Sequence, residues 1–476
     1  MTLTSTEGPL ARVSSRIPSR LWQVAAAVAA MAAIGWLCGT GAGTTAFGLP
    51  LLLLAMVAIA KRFNYAFWFL GVLLPIYAVG PIPPSVFTLG RLALIAGIII
   101  SDLSAMRLRS YRMPNRKWWL YGLALVSAAA IHLSASGLYL GVGFVVIALF
   151  GARIGSSPEA YRLLFSGFRL GVFVSSLTLM AQTLGVLTFT DIEQQLLGHP
   201  GLSYRSTAFA YEAALSLILW HRSGHGKVRT PVWLLEGAVV AAALLASGGR
   251  GGLLALAVAM VVLPLSAGRV KTTVRFVATA AAALAVISTL GLSTLSVERL
   301  LPQVRDRRID VVDQYGSGRR DILQVSIERA RQHWIIGAGF EESSVAAFGA
   351  SASYATTSSG TKSRNPNAHI LVLALLIIGG IVLATSATVV LVAAGVKAYV
   401  LAARGSPQIS WIAAGIVIYL VNSLLEVGGG LVGLQSVLLF SALVRLAELN
   451  AGPRRVRSTD RPMLRSAVLE LRASGP

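Results

Sequence analysis

Residues 365–396 read "NPNAHILVLALLIIGGIVLATSATVVLVAAGV". Asn365, Pro366 and Asn367 lead through His369 into an apolar run that meets no charged side chain until Lys397. A hydrocarbon core about 30 Å thick needs about 20 apolar residues of helix, so this run is long enough to cross a bilayer. Comparable blocks recur near 22–39, 43–60, 64–80, 85–101, 118–135, 138–152, 166–188, 207–221, 231–247, 251–268, 273–295, 409–427 and 430–447. The chain is therefore predicted to be all-α, a polytopic transmembrane helical bundle of about 12–14 helices.

Composition agrees. Of 476 residues 55% are hydrophobic and 13% charged, and the mean hydropathy is +0.71; soluble domains carry about 25% charged residues. The net charge of +22 does not point to nucleic acid, because the basic residues sit in short connections between apolar blocks and no nucleic-acid-binding motif accompanies them. The single cysteine, Cys38, lies inside the first block, which excludes a disulfide framework and a cysteine-based metal site. Arg12, Arg16 and Arg20 precede a long apolar stretch without a clear cleavage site, as in a retained first helix.

Charge also predicts orientation. Lys61 and Arg62, Arg107 to Lys117, Arg153 and Arg162, Arg222 to Arg229, Arg269 to Arg275, Lys397 and Arg404, and Arg454 to Arg457 fall on one side of the alternating blocks. That side is expected to be cytoplasmic, with both termini inside. The expected divisions are a cytoplasmic tail at 1–21, a bundle at 22–296, a large extracytoplasmic loop at 297–367, further transmembrane helices at 368–447 and a basic cytoplasmic tail at 448–476. Within the loop, "GRRDILQVSIERARQHW" has amphipathic helical spacing, with Ile322, Val325, Ile327 and Trp334 available to pack. The small polar stretch 348–363 reads as a lid.

Ionisable residues inside membrane spans are expensive and mark functional sites. Arg91, Glu212, Arg250 and Glu426 are predicted in the outer halves or mouths of their spans, facing the large loop, and no comparable set is expected in the inner halves. Each alone has a structural reading, reaching the interface or pairing with a neighbour. Together they suggest a cleft for a molecule with a lipid tail, a phosphate or diphosphate and a polar head, since guanidinium suits phosphate. His369 has two readings. It is a helix-end residue beside the capping residues Asn365 and Asn367, or it is a general base, for which an imidazole titrating near about 6.5 is suited. His132, His199 and His333 invite no chemical reading, and "GAGF" at 337–340 is a glycine turn rather than a nucleotide loop.

The loop helix, the glycine turn and "NAHILVLALLIIGGI" together resemble the O-antigen ligase and polymerase superfamily. Gly318-Arg319, Gly337-x-Gly339, His369 and Gly380 match its motifs in order and spacing. "SGGRGGLLAL" at 247–256 resembles its Ser-x-x-Arg-Gly element, and "YRSTAFAYEAAL" at 204–215 its earlier arginine element. The chain departs from the family at Ile370, where Asn, Ser or Gln is preferred, and at Leu323, a position usually taken by Trp. The resemblance implies metal-independent, inverting glycosyl transfer from a polyprenyl diphosphate, usually undecaprenyl, to an acceptor hydroxyl at the outer face of a bacterial plasma membrane. It gives His369 the role of base and Arg205, Arg250 and Arg319 that of diphosphate ligands. Arg91, Arg320, Glu212 and Glu426 follow as supporting residues, on depth or position alone. No cofactor or metal is expected; the partners would be the lipid-linked donor, a glycan, lipid or protein acceptor, and membrane lipid. A ligase and a polymerase share this chemistry. The reading from another class, a flippase or exporter of lipid-linked glycan, wants charges spread through the full depth of the membrane.

Overall fold

A computed structural model of the chain describes residues 65–77, 84–104, 117–183, 186, 202–203, 206–223, 231–247, 249–266, 274, 319–340, 371–404, 407–425 and 436–450. These form twelve helices, and no strand occurs among the described residues: α1 Ala66–Leu73, α2 Pro84–Ser104, α3 Lys117–Ile131, α4 Ala135–Ser156, α5 Pro158–Thr183, α6 Ser206–Ser223, α7 Pro231–Ala246, α8 Arg250–Ser266, α9 Arg319–Gln332, α10 Leu371–Arg404, α11 Pro407–Leu425 and α12 Ser436–Asn450. The all-α expectation holds. The blocks expected at 22–39, 43–60 and 273–295, the tails and the lid at 348–363 lie outside the described residues.

Local chemistry sets the helix starts. α2, α5, α7 and α11 each begin on proline, whose missing N–H costs nothing in the first turn. Ser134 and Ser157 precede α4 and α5, and their hydroxyls accept from the N–H groups of Gly137 and Ala160 at 3.1 and 3.3 Å. α1 is shorter than its predicted block because Pro75 follows it and cannot donate to the preceding turn.

Glycines bring the helices together. Gly167 and Gly171 on α5 lie against the carbonyls of Trp68 and Val72 on α1, and Gly71 returns the contact at Leu164. Gly151 and Gly155 on α4 do the same for α12, where a Cβ on Gly151 would lie 2.6 Å from that of Phe440. Both pairs have the four-residue spacing that lets helix backbones touch. Around them Trp118, Tyr121, Phe144 and Phe440 form an edge-to-face aromatic core.

α2, α4, α6, α8, α10 and α12 begin at one end of the bundle, called the upper end here; α1, α3, α5, α7 and α11 finish there. The connections rich in Lys and Arg (105–116, 224–230 and the tail after 450) all leave the lower end. α5 and α10 are long and apolar enough to cross a membrane, at Pro158–Gln182 and Leu371–Ala403. Large apolar side chains are exposed on the outside of α3 (Leu120, Leu123), α5 (Leu170, Leu177), α7 (Leu234, Leu235) and α10 (Val382, Val392).

Two expectations are corrected. Charged pairs do occur away from the upper end. Arg153 binds the Asp102 carboxylate with Nε at 2.7 Å and Nη2 at 3.2 Å, both buried, and its guanidinium lies over the Phe67 ring. Arg169 makes a bidentate pair with Glu236 at 2.6 Å. Asp102 and Arg153 look like connection charges because they fall near helix ends, whereas Arg169 and Glu236 lie within α5 and α7; packing turns both pairs inward. Removing one partner of a buried pair strands the other, so Arg153→Leu is expected to lower stability by about 3 kcal/mol, and Asp102→Leu/Arg153→Leu by far less. Equilibrium unfolding of both in detergent is the check; equal losses would show that the charges do not depend on each other. The second correction concerns α9. Ile327 and Trp334 are exposed, the side chains of Ile322 and Val325 lie outside those described, and the small residues Ser326 and Ala330 are buried on a helix that contacts α10.

Candidate functional site

α10 is not continuous. Gly379 has φ −130° and ψ 17°, and Gly380 has φ 67° and ψ −164°, a conformation that glycine alone adopts without strain. The break withdraws the carbonyls of Ile377 and Ile378 and the N–H of Ile381 from regular helical pairing, and buried backbone groups must be paired elsewhere. The turn after α9 supplies all three partners. Ala338 N–H donates to Ile377 O at 2.6 Å, Gly339 N–H to Ile378 O at 3.1 Å, and Ile381 N–H donates back to Trp334 O at 2.8 Å. The turn is shaped by Gly337 (φ 88°) and Gly339 (φ 89°), and Gly337 N–H closes it on His333 O at 2.8 Å. A Cβ on Gly337 would meet the Ile378 carbonyl group, and one on Gly380 that of Ile335.

The end of α3 completes this joint. His132 Nε2 lies 3.1 Å from Ile336 O, its ring faces Gly339, and the fully buried Phe340 fills the space beside Gly137 and Ala129. The glycine turn and the glycine eleven residues beyond His369 therefore have one structural purpose. They hold the helix headed by Arg319 against the helix entered through His369.

A second cluster lies at the upper end. Arg91 is buried on α2 and donates from Nη2 to Ile76 O at 2.7 Å, while its Nε has no hydrogen-bond partner among the described residues. Glu212, buried on α6, interacts with it electrostatically. Tyr77 N–H donates to Leu202 O at 2.6 Å, and Leu202 N–H to the Ser175 hydroxyl at 2.9 Å. These bonds tie the chain just before α6 to α1 and α5. Gly252 packs on the backbone of Ala210, so the head of α8, which is Arg250, sits beside the first turns of α6.

Of the residues singled out by sequence, Arg91 and Glu212 come together. Arg250, Arg319 and Arg320 head α8 and α9, where backbone alone is described, and Arg205, His369 and Glu426 lie outside the described residues. The heads of α6, α8 and α10 all lie at the upper end, and helix N-termini favour anions. Sequence reasoning missed His132 as part of the joint. It also missed the break itself, although two adjacent glycines inside an apolar helix are a known site for one.

Residues 237–388, from α7 through the break in α10, match the family model described as O-antigen ligase. Over this span the chain is similar to the O-antigen ligase family. The matched span, about a third of the chain, contains the whole turn and the break onto which it docks. No curated protein matches the chain.

Proposed function

We propose that the chain is an O-antigen ligase-like enzyme, which transfers a glycan from a polyprenyl diphosphate to an acceptor hydroxyl at the outer face of a bacterial plasma membrane, by inverting displacement and without a metal. The observation that carries the reading is the joint itself. Three hydrogen bonds between the Gly337-x-Gly339 turn and the Gly379–Gly380 break hold the Arg319 helix against the His369 helix. His369 takes the acceptor proton as the hydroxyl attacks the anomeric carbon, and the diphosphate leaves with the electrons of the glycosidic C–O bond. Arg205, Arg250 and Arg319 bind that diphosphate and stabilise its growing charge. Arg320 and Glu426 stand near these groups in the sequence-based arrangement, and Arg91 with Glu212 forms the buried support behind the approach to α6.

The setting follows from charge. Basic connections leave the lower end of the bundle, which is cytoplasmic by the positive-inside rule, so the upper end and the 297–367 segment face outward. The exposed apolar side chains around the bundle are then covered by lipid. Purified protein given a polyprenyl-diphosphate oligosaccharide in EDTA is expected to release polyprenyl diphosphate. Release that requires a second lipid or protein acceptor identifies a ligase, and a ladder of lengthening glycans identifies a polymerase. Absence of release across donors and acceptors would defeat the proposal, and release only when a divalent metal is restored would defeat its metal-free chemistry.

A further inference from the structure

Between α9 and the glycine turn lie three consecutive large apolar residues, Trp334, Ile335 and Ile336, which are 52%, 58% and 52% exposed. Their backbone is fixed: Trp334 O accepts from Ile381 N–H, and Ile336 O is 3.1 Å from His132 Nε2. The side chains are therefore held outward on a rigid frame. They also have apolar company. Ile381 and Val382 on α10 and Ile131 and Leu133 at the end of α3 are exposed beside the same joint. Below it the exposed face continues down α10 through Val389, Val392 and Val396.

We propose that Trp334, Ile335 and Ile336 form a wedge seated in the outer interfacial layer of the lipid bilayer, tethering α9 to the membrane surface. The partner is lipid because the patch is continuous with the exposed face of α10, one of the two helices among the described residues that are apolar and long enough to cross a membrane. From Ile381 to Arg404 α10 spans about 36 Å, sufficient for the hydrocarbon core, so the break falls at the membrane surface and the docked turn with it. Tryptophan belongs at that depth, where its ring is shielded and its N–H stays wet. Arg331, three residues before Trp334, is exposed and stays on the aqueous side of the wedge. α9 has 14 residues, so the wedge keeps Arg319 within about 20 Å of the lipid surface, where a lipid-borne diphosphate must present itself.

This inference rests on the membrane reading of the proposed function, and one experiment separates the two. Cys38 is the single cysteine, so Cys38→Ser supplies a clean background for nitroxide labels. Ile335→Cys and Ile336→Cys report on the wedge, Val392→Cys on the span, and Glu328→Cys and Arg331→Cys on the aqueous side. All are exposed positions. Each labelled protein is reconstituted in phospholipid nanodiscs, and its collisions with oxygen, which concentrates in lipid, are compared with those of a water-soluble nickel chelate. The oxygen-to-nickel ratio at 335 and 336 is expected to exceed that at 328 and 331 by about threefold or more, with 392 higher still. A ratio at 335 and 336 equal to the aqueous positions overturns the wedge while a high ratio at 392 leaves the membrane reading intact. Shielding of both wedge labels from both reagents also overturns it, since the patch would then be covered by protein. A low ratio at 392 defeats the membrane reading itself.

Discussion

Gly380→Ala is expected to cost roughly 3–5 kcal/mol of stability and to abolish glycan transfer with it. Two independent penalties add. A φ of 67° with ψ −164° is open to glycine and strained for every residue with a Cβ. The new Cβ would also point into the carbonyl of Ile335, which is backbone and cannot rotate away. Relief requires the turn to lift, and lifting it leaves the Ile377 and Ile378 carbonyls and the Ile381 N–H unpaired. Gly395→Ala is the matched control on the same helix, because its Cβ would meet only Leu420 Cδ1 at 3.1 Å. That side-chain tip can yield, and alanine favours the helix by up to about 1 kcal/mol. Thermal unfolding of the two variants in detergent should separate them clearly. If Gly380→Ala unfolds with Gly395→Ala, the break is not the joint described here.

How much of this was legible in the sequence differs from feature to feature. The helical class was legible because an apolar run as long as 371–396 far exceeds the length of a strand and reads as helix. The break within it was not. A glycine pair is tolerated in an apolar helix when something else pairs the freed backbone groups, and that something lies some forty residues earlier, in the Gly337-x-Gly339 turn. The cost of burying Arg91 and Glu212 marked them as notable, and the structure brings these two together. Asp102 and Arg153 stood within a few residues of helix ends and looked solvated, since only tertiary packing reveals that they meet. α9 shows a further limit. Its periodic Ile327 and Trp334 define a face, but spacing does not say whether protein or lipid covers it.

The largest effect expected on chemistry belongs to His369. In His369→Ala the acceptor hydroxyl would have to lose its proton to water, and transfer should fall by 10²- to 10⁴-fold, about 3–5 kcal/mol of transition-state stabilisation. Donor affinity should hardly change, because the histidine is assigned to the acceptor side. Arg319→Ala should behave differently. Losing a charge-assisted contact to the diphosphate weakens donor binding and also slows the step in which that group departs. The two variants thus divide the reaction: one lowers turnover at constant donor affinity, the other lowers both. Titration of a fluorescent polyprenyl-diphosphate donor, alongside initial rates of its release, measures each quantity separately. Transfer by His369→Ala at the wild-type rate would remove the base from the mechanism. If Arg319→Ala bound donor as tightly as wild type, the arginine at the head of α9 would have no place in the site, and the joint would be holding the wrong helix for the chemistry assigned to it.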